Sequence, residues 1–138
     1  MKFYDAAEDA LLKFAVIAAR HEGRWVFCKH RERDTYECPG GRREAGERIS
    51  DTAKRELWEE TGAVRYDMEP VCVYSVDRDG DESFGMLYFA EIREFEKLPA
   101  FEIERIEFFA DLPEHWTYPL IQPKILERAE RFMRARSA

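Results

Sequence analysis

The sequence predicts one α/β domain, and three observations carry that prediction. Apolar, β-branched runs flank a single helix-favouring segment, and a second segment near the C terminus repeats its apolar residues at helical spacing. The chain has 138 residues, room for one domain (1–138) with one sizeable core. Hydrophobic residues make up 45% and charged residues 37%, the balance of a packed chain rather than a disordered one.

Leu11 to Ala19 and Trp25 to Lys29 read as strands, and His21-Glu22-Gly23-Arg24 between them predicts a hairpin turn. A polar stretch from Arg31 leads to Tyr36-Glu37-Cys38-Pro39-Gly40-Gly41, a short strand stopped by proline and glycine. Ser50 to Thr61 favours helix, and Gly62 sits where a helix commonly stops. Val71–Val76 and Phe84–Ile92 read as two strands joined through Asp77 to Asp81. That acidic turn suggests calcium only superficially, because Gly80 comes too early for an EF-hand loop. Ile106 to Phe109 predicts a last short strand. From Pro123 onward the chain reads as helix, with Ile125, Ala129, Phe132 and Met133 as its packing stripe.

Several function classes recede on composition. No apolar run approaches the ~20 residues that cross a bilayer, and acids stand where a signal peptide needs a basic region. A cytoplasmic protein is expected. Cys28, Cys38 and Cys72 are odd in number and form no C-x-x-C pair, so they read as buried, reduced thiols. His21, His30 and His115 show no ligand spacing. A net charge of −7 argues against stable binding to nucleic-acid backbones. An acidic protein still binds phosphates when a divalent cation stands between them.

The segment Gly41 to Ala63 offers a place for that cation. On a helix, Glu56, Glu59 and Glu60 fall within roughly a 100° arc, three and four residues apart. Ala53 and Leu57 border the arc as core anchors. Carboxylates so close repel one another, and a hard divalent cation, Mg²⁺ or Mn²⁺, resolves the conflict. Arg55 supplies a fixed positive charge that can pair with Glu59 or reach back to Glu47. Taken alone, these glutamates also fit an ordinary solvated acidic helix.

The wider pattern resembles the Nudix box, G-x5-E-x7-R-E-U-x-E-E-x-G-U with U aliphatic. Gly41, Glu47, Arg55, Glu56, Glu59, Glu60 and Gly62 fill its fixed positions, with Leu57 and a small Ala63 at the apolar ones. The strand order, the Pro39-Gly40-Gly41 entry and the C-terminal helix also resemble the family's α/β/α sandwich around a mixed sheet. The resemblance implies hydrolysis of a nucleoside diphosphate linked to another group, with Glu56, Glu59 and Glu60 as metal ligands. It makes Arg55 and Glu47 a supporting ion pair and Gly41 the shaper of the loop. The general base would be Glu56 or Glu59, or a glutamate from a later loop: Glu102, with Glu104 competing. Lys29 and Arg31, ending the second strand, and Gly40 with Gly41 are candidates for substrate contact. Trp116 and Tyr118 can stack on a base but read better as packing. Family members are often dimers, and a homodimer stays open here.

Substrate is read mainly from absences. The chain lacks the extra domain and upstream motifs of NADH and coenzyme A pyrophosphatases. Pro70 and Tyr74 come too soon after the box for the ADP-ribose and diadenosine polyphosphate groups. A small-molecule (deoxy)nucleoside triphosphate, including an oxidised one such as 8-oxo-dGTP, is the expected substrate. Where the best-known sanitising enzyme reads the base with an Asn, this chain has Ile121 or Gln122. No sequence around Cys38 matches the catalytic-cysteine motif of isopentenyl diphosphate isomerase.

Overall fold

The structure, a computed structural model, describes residues 1–137. Eight strands form one sheet: β1 (Lys2–Tyr4), β2 (Leu12–His21), β3 (Arg24–His30), β4 (Tyr36–Glu37), β5 (Gly40–Arg42), β6 (Ala63–Arg78), β7 (Asp81–Phe95) and β8 (Ile103–Phe109). The helices are α1 (Ile49–Thr61) and α2 (Gln122–Ser137). The main sheet order is β1-β6-β7-β2-β3-β4, with β5 pairing β2 and β8 pairing β3. Among these pairings β2 with β7 is parallel and the others are antiparallel, giving the mixed sheet that was expected.

Both faces of the sheet are buried, and the period-two alternation of the strands sorts residues between them. Along β2, Ala15, Ile17 and Ala19 join the core under α1, while Val16 and Ala18 join the core under α2. In β3 the same alternation sends Val26 to the first core and Trp25 and Phe27 to the second. Helix α1 buries Thr52, Ala53, Leu57 and Thr61, leaving Arg55, Glu56, Glu59 and Glu60 on its flank. Helix α2 buries Ile125, Leu126 and Ala129, with Phe132 and Met133 partly buried against them. Cys28, Cys38 and Cys72 are buried free thiols. Among the described residues, no helix is long and apolar enough to cross a membrane.

Several elements differ from the sequence reading, β7 among them, which extends three residues beyond the predicted Phe84–Ile92 at each end. Tyr36 to Gly41 is two strands rather than one: β4 pairs with β3, and β5 pairs with β2 across the Pro39 break. Strand β6 starts at Ala63, eight residues before Val71, and runs through Pro70. The chain accommodates that proline at a register shift between Pro70 and Cys72, where a missing N–H disturbs the ladder least. β8 begins at Ile103, ahead of Ile106. β1, an edge strand on β6, carried no signal in its three residues. The predicted hairpin turn holds, with Glu22 and Gly23 both at positive φ.

Leu57 is fully buried and fixes the carboxylate-bearing helix to the sheet. Leu57→Ala is expected to cost about 2–5 kcal/mol, read as a lower denaturation midpoint in urea.

Candidate active site

The loop from Arg42 to Arg48 and the flank of α1 meet around one guanidinium. Arg55 Nε donates to Glu47 Oε2 at 2.7 Å and Nη2 donates to Glu47 Oε1 at 3.1 Å, a two-pronged pair. Its Nη1 donates to Glu56 Oε1 at 2.8 Å and to Glu59 Oε2 at 3.3 Å. Nη2 also reaches the Arg42 carbonyl at 3.0 Å, which ties the strand before the loop to the same point. Glu47 further accepts from the Glu44 N–H and the Thr52 hydroxyl, both at 2.9 Å. These bonds hold its carboxyl down at about 2, with the Arg55 hydrogen bonds the largest cause.

The glutamates occupy different surroundings. Glu60 turns inward, and its Oε1 accepts the Gly40 N–H at 2.7 Å. Burial pushes its carboxyl well above the ordinary range, with the charges of Glu56, Glu37 and Glu102 adding to the rise. Glu56 is also raised, chiefly by burial and against the pull of Arg55. Glu59 is more open than Glu56, with 28% of its side chain exposed against 14%. Gly41 is the reason Glu56 fits at all, because a Cβ there would stand 2.5 Å from its carboxylate. Gly62 closes the helix at φ 78°, its N–H bonded to the Trp58 carbonyl.

Desolvated carboxylates gathered at one spot, with a single arginine shared among them, are a donor set suited to a hard divalent cation. Among the described residues no three such groups already converge as a coordination shell. Arg55 Nη1 stands between Glu56 and Glu59 instead, serving as their counter-charge. Glu56, Glu59 and Glu60 are the residues that would hold Mg²⁺ or Mn²⁺.

Gly40 and Gly41, which touch Glu60 and Glu56, are also part of the wall of a cavity of about 420 Å³ that extends to the start of α2. Tyr74 and Val76 of β6, Ile121, Gln122 and Ile125 at the start of α2, and Arg42 and Arg78 complete much of its lining. Tyr74 is accommodated because Gly85 opposite has no Cβ to meet its ring. Gln122 is buried and its Oε1 accepts the Cys38 N–H at 2.6 Å. Of the two aromatic candidates, Tyr118 lines the cavity, while Trp116 packs edge-on against Phe27. Arg42, Tyr74 and Arg78 escaped the sequence reading because no local pattern joins them; strand pairing does.

The remaining candidates gather where β3 meets β8. The charge of Glu102 acts on Glu56 and Glu60, and its carboxylate lies 3.5 Å from His30 Nε2. Glu104 is engaged by Lys29 at 3.3 Å and by Arg105, which together hold its carboxyl below the usual range. Lys29 therefore has its partner within the protein. Arg31 Nε donates to the Phe101 carbonyl at 3.1 Å.

The packing of Gly41 against Glu56 makes one substitution informative. Gly41→Ala should weaken divalent-metal binding and activity while the far-ultraviolet spectrum stays native, since the added Cβ displaces the Glu56 carboxylate. For Glu47, a native carboxyl lower than the unfolded one stabilises the fold fully above about pH 4.5, and that contribution is lost as pH falls towards about 2. The stability gap between wild type and Glu47→Gln, measured by thermal melts, should be widest near neutrality and close through that window.

Comparison with known proteins agrees with this architecture. The model of the NUDIX domain matches residues 11–128. A Bacillus subtilis protein whose provisional name is 8-oxo-dGTP diphosphatase YtkD is 34% identical over 104 residues. That alignment covers 75% of this chain and 65% of the relative, so the chain spans less than two thirds of that protein. Among solved structures, a point mutant of the Bacillus subtilis pyrophosphohydrolase BsRppH superposes with a TM-score of 0.80 at 25% identity, covering 94% of this chain and 89% of that one. The NUDIX domain of Shewanella oneidensis NrtR, solved with ADP ribose, gives 0.69 at 16% identity and covers 94% of each chain, a likeness of fold alone. With the family model spanning most of the chain and the box residues gathered around Arg55, this chain belongs to the Nudix family.

Proposed function

We propose that this chain is a cytoplasmic, Mg²⁺-dependent pyrophosphohydrolase that cleaves a (deoxy)nucleoside triphosphate to monophosphate and pyrophosphate. One observation carries the reading: the Glu56–Glu59–Glu60 cluster abuts, through Gly40 and Gly41, a cavity large enough for a nucleoside. The names of the two Bacillus subtilis relatives support the same chemistry, and the provisional name of one supports an oxidised guanine nucleotide. Three buried thiols suit a reducing compartment. A homodimer is compatible with the reading.

When bound, Mg²⁺ (or Mn²⁺) neutralises phosphate charge, acidifies the attacking water and stabilises the leaving oxygen. The protein's part is to hold the carboxylates in place. Arg55 keeps Glu56 and Glu59 together before the ligand arrives, and Gly40 fixes Glu60. Glu59 is more exposed than Glu56 and, among the described residues, is held only through the longer Arg55 contact, so it is the one freest to take the proton of water. Glu102, across the site, is the alternative base. Arg31 has further donors for the phosphates beyond the one used by Phe101, whereas Lys29 must first leave Glu104. No covalent nucleophile is required: water adds to one phosphorus, the anhydride oxygen leaves with pyrophosphate, and the proton passes to the base.

The test is a product-resolved screen with Mg²⁺ against nucleoside triphosphates, 8-oxo-dGTP, ADP-ribose, dinucleoside polyphosphates and nucleotide sugars. Monophosphate plus pyrophosphate from triphosphates is expected. Glu59→Gln should lower kcat about a hundredfold or more, whereas Cys38→Ala should retain activity. Cleavage of ADP-ribose or a nucleotide sugar alone would replace the substrate and keep the chemistry, and binding without any turnover would sink the hydrolase reading.

A further inference from the structure

The loop between β5 and α1 is held with little help from packing. None of residues 42–48 is buried, and the space beside Gly46 is open. An exposed loop of this kind keeps one shape only where hydrogen bonds fix it, because ordering its backbone costs entropy that no apolar burial offsets. Yet this loop carries Glu47, the carboxylate that meets Arg55 at 2.7 and 3.1 Å.

Arg43 supplies the hold from the side of the sheet. Its backbone N–H donates to the Lys13 carbonyl at 2.8 Å, which continues the pairing of β5 with β2. Its side chain then reaches in two directions. Nε donates to the Glu47 carbonyl at 2.8 Å and closes the loop on itself. Nη1 donates to the carbonyls of Asp9 at 2.9 Å and Leu12 at 3.3 Å, and Nη2 donates to the Asp9 carboxylate at 2.9 Å. One guanidinium thus joins the short 3₁₀ turn Asp9–Leu11 to the backbone of Glu47. The Arg43 side chain is only 20% exposed against 70% for Asp9, so the arginine is the inner member of that pair.

We infer that Arg43 is a positioning residue for the cation site, acting through Glu47, with Asp9 as its support. The inference rests on the proposed binding of a divalent cation by Glu56, Glu59 and Glu60. Glu47 is held at both ends, its carbonyl by Arg43 and its carboxylate by Arg55. The second hold matters for the cation because Arg55 Nη1 also bonds Glu56 and Glu59. While Glu47 engages Nε and Nη2, the rigid fork cannot turn fully onto those two carboxylates. Once the loop loosens, Glu47 releases the fork, and Arg55 closes on Glu56 and Glu59 as a competing cation. Arg43 itself bonds none of the three carboxylates, so its part is geometric.

Mn²⁺ binding, followed by calorimetry without substrate, tests this apart from turnover. Wild type should bind, and Arg43→Gln should raise Kd about tenfold or more, the usual scale for groups that orient a metal's ligands. Arg43→Lys keeps the charge but lacks the fork, so it should behave as Arg43→Gln does rather than as wild type. Asp9→Ala leaves the backbone acceptors in place and should give a smaller rise of the same sign. The deciding comparison is made in Glu47→Gln: there Arg43→Gln should add little, since its effect runs through Glu47. Effects that multiply in that background, rescue by lysine, or an unchanged Kd in folded Arg43→Gln would each overturn the inference. A wild type that binds no Mn²⁺ removes the metal reading and this inference together, whereas equal binding by wild type and Arg43→Gln removes this inference alone. Should Arg43→Gln not fold, Asp9→Ala measured with and without Glu47→Gln makes the same comparison.

Discussion

The site depends on one cation placed among too many anions. Three glutamates on one flank of a helix repel each other and lose hydration as they pack, so each alone would favour another arrangement. Arg55 reverses that balance. Its guanidinium engages Glu47 with two nitrogens and Glu56 and Glu59 with a third, and it also holds the Arg42 carbonyl. A lysine would deliver the charge but not the planar fork that reaches four acceptors from one position. The loop before α1, the helix register and the spacing of the carboxylates are therefore set together.

The two faces of the sheet divide the labour. The α1 face carries the clustered glutamates, and the cavity of mixed polarity borders α2. Gly40 and Gly41 form the seam. Gly40 donates its N–H to Glu60, and Gly41 lies against the Glu56 carboxylate, while both border the cavity. Without side chains, these residues let the glutamates of one face come close to the cavity on the other.

What could be read in the sequence follows from how local each feature is. The carboxylate helix and its arginine lie within 23 consecutive residues, so the box pattern as a whole, though not the glutamate spacing alone, exposed them. The two sheet faces were legible in outline because period-two alternation survives in β2 and β3. From Val64 to Glu69 apolar and charged residues alternate with the period of a half-buried strand, a signal passed over in the sequence, and pairing with β7 carries the strand through Pro70. Most of the cavity lay beyond local reading, although Tyr118, Ile121 and Gln122 were singled out from the sequence. Tyr74, Arg78, Arg42 and Gln122 meet only after β5 joins β2 and α2 docks.

The parallel pairing of β2 with β7 has a kinetic side. Leu12 aligns with Phe84 and Ala19 with Ala90, so a loop of about seventy residues must close before the centre of the sheet exists. That loop contains β5, the box and α1. During synthesis, the whole carboxylate segment leaves the ribosome before the strand that completes the sheet beneath it. Helix α1 alone is short and burdened with like charges, so it has little reason to persist until then. The slow step in folding should be this long-range closure, and the catalytic arrangement should appear with it rather than before it.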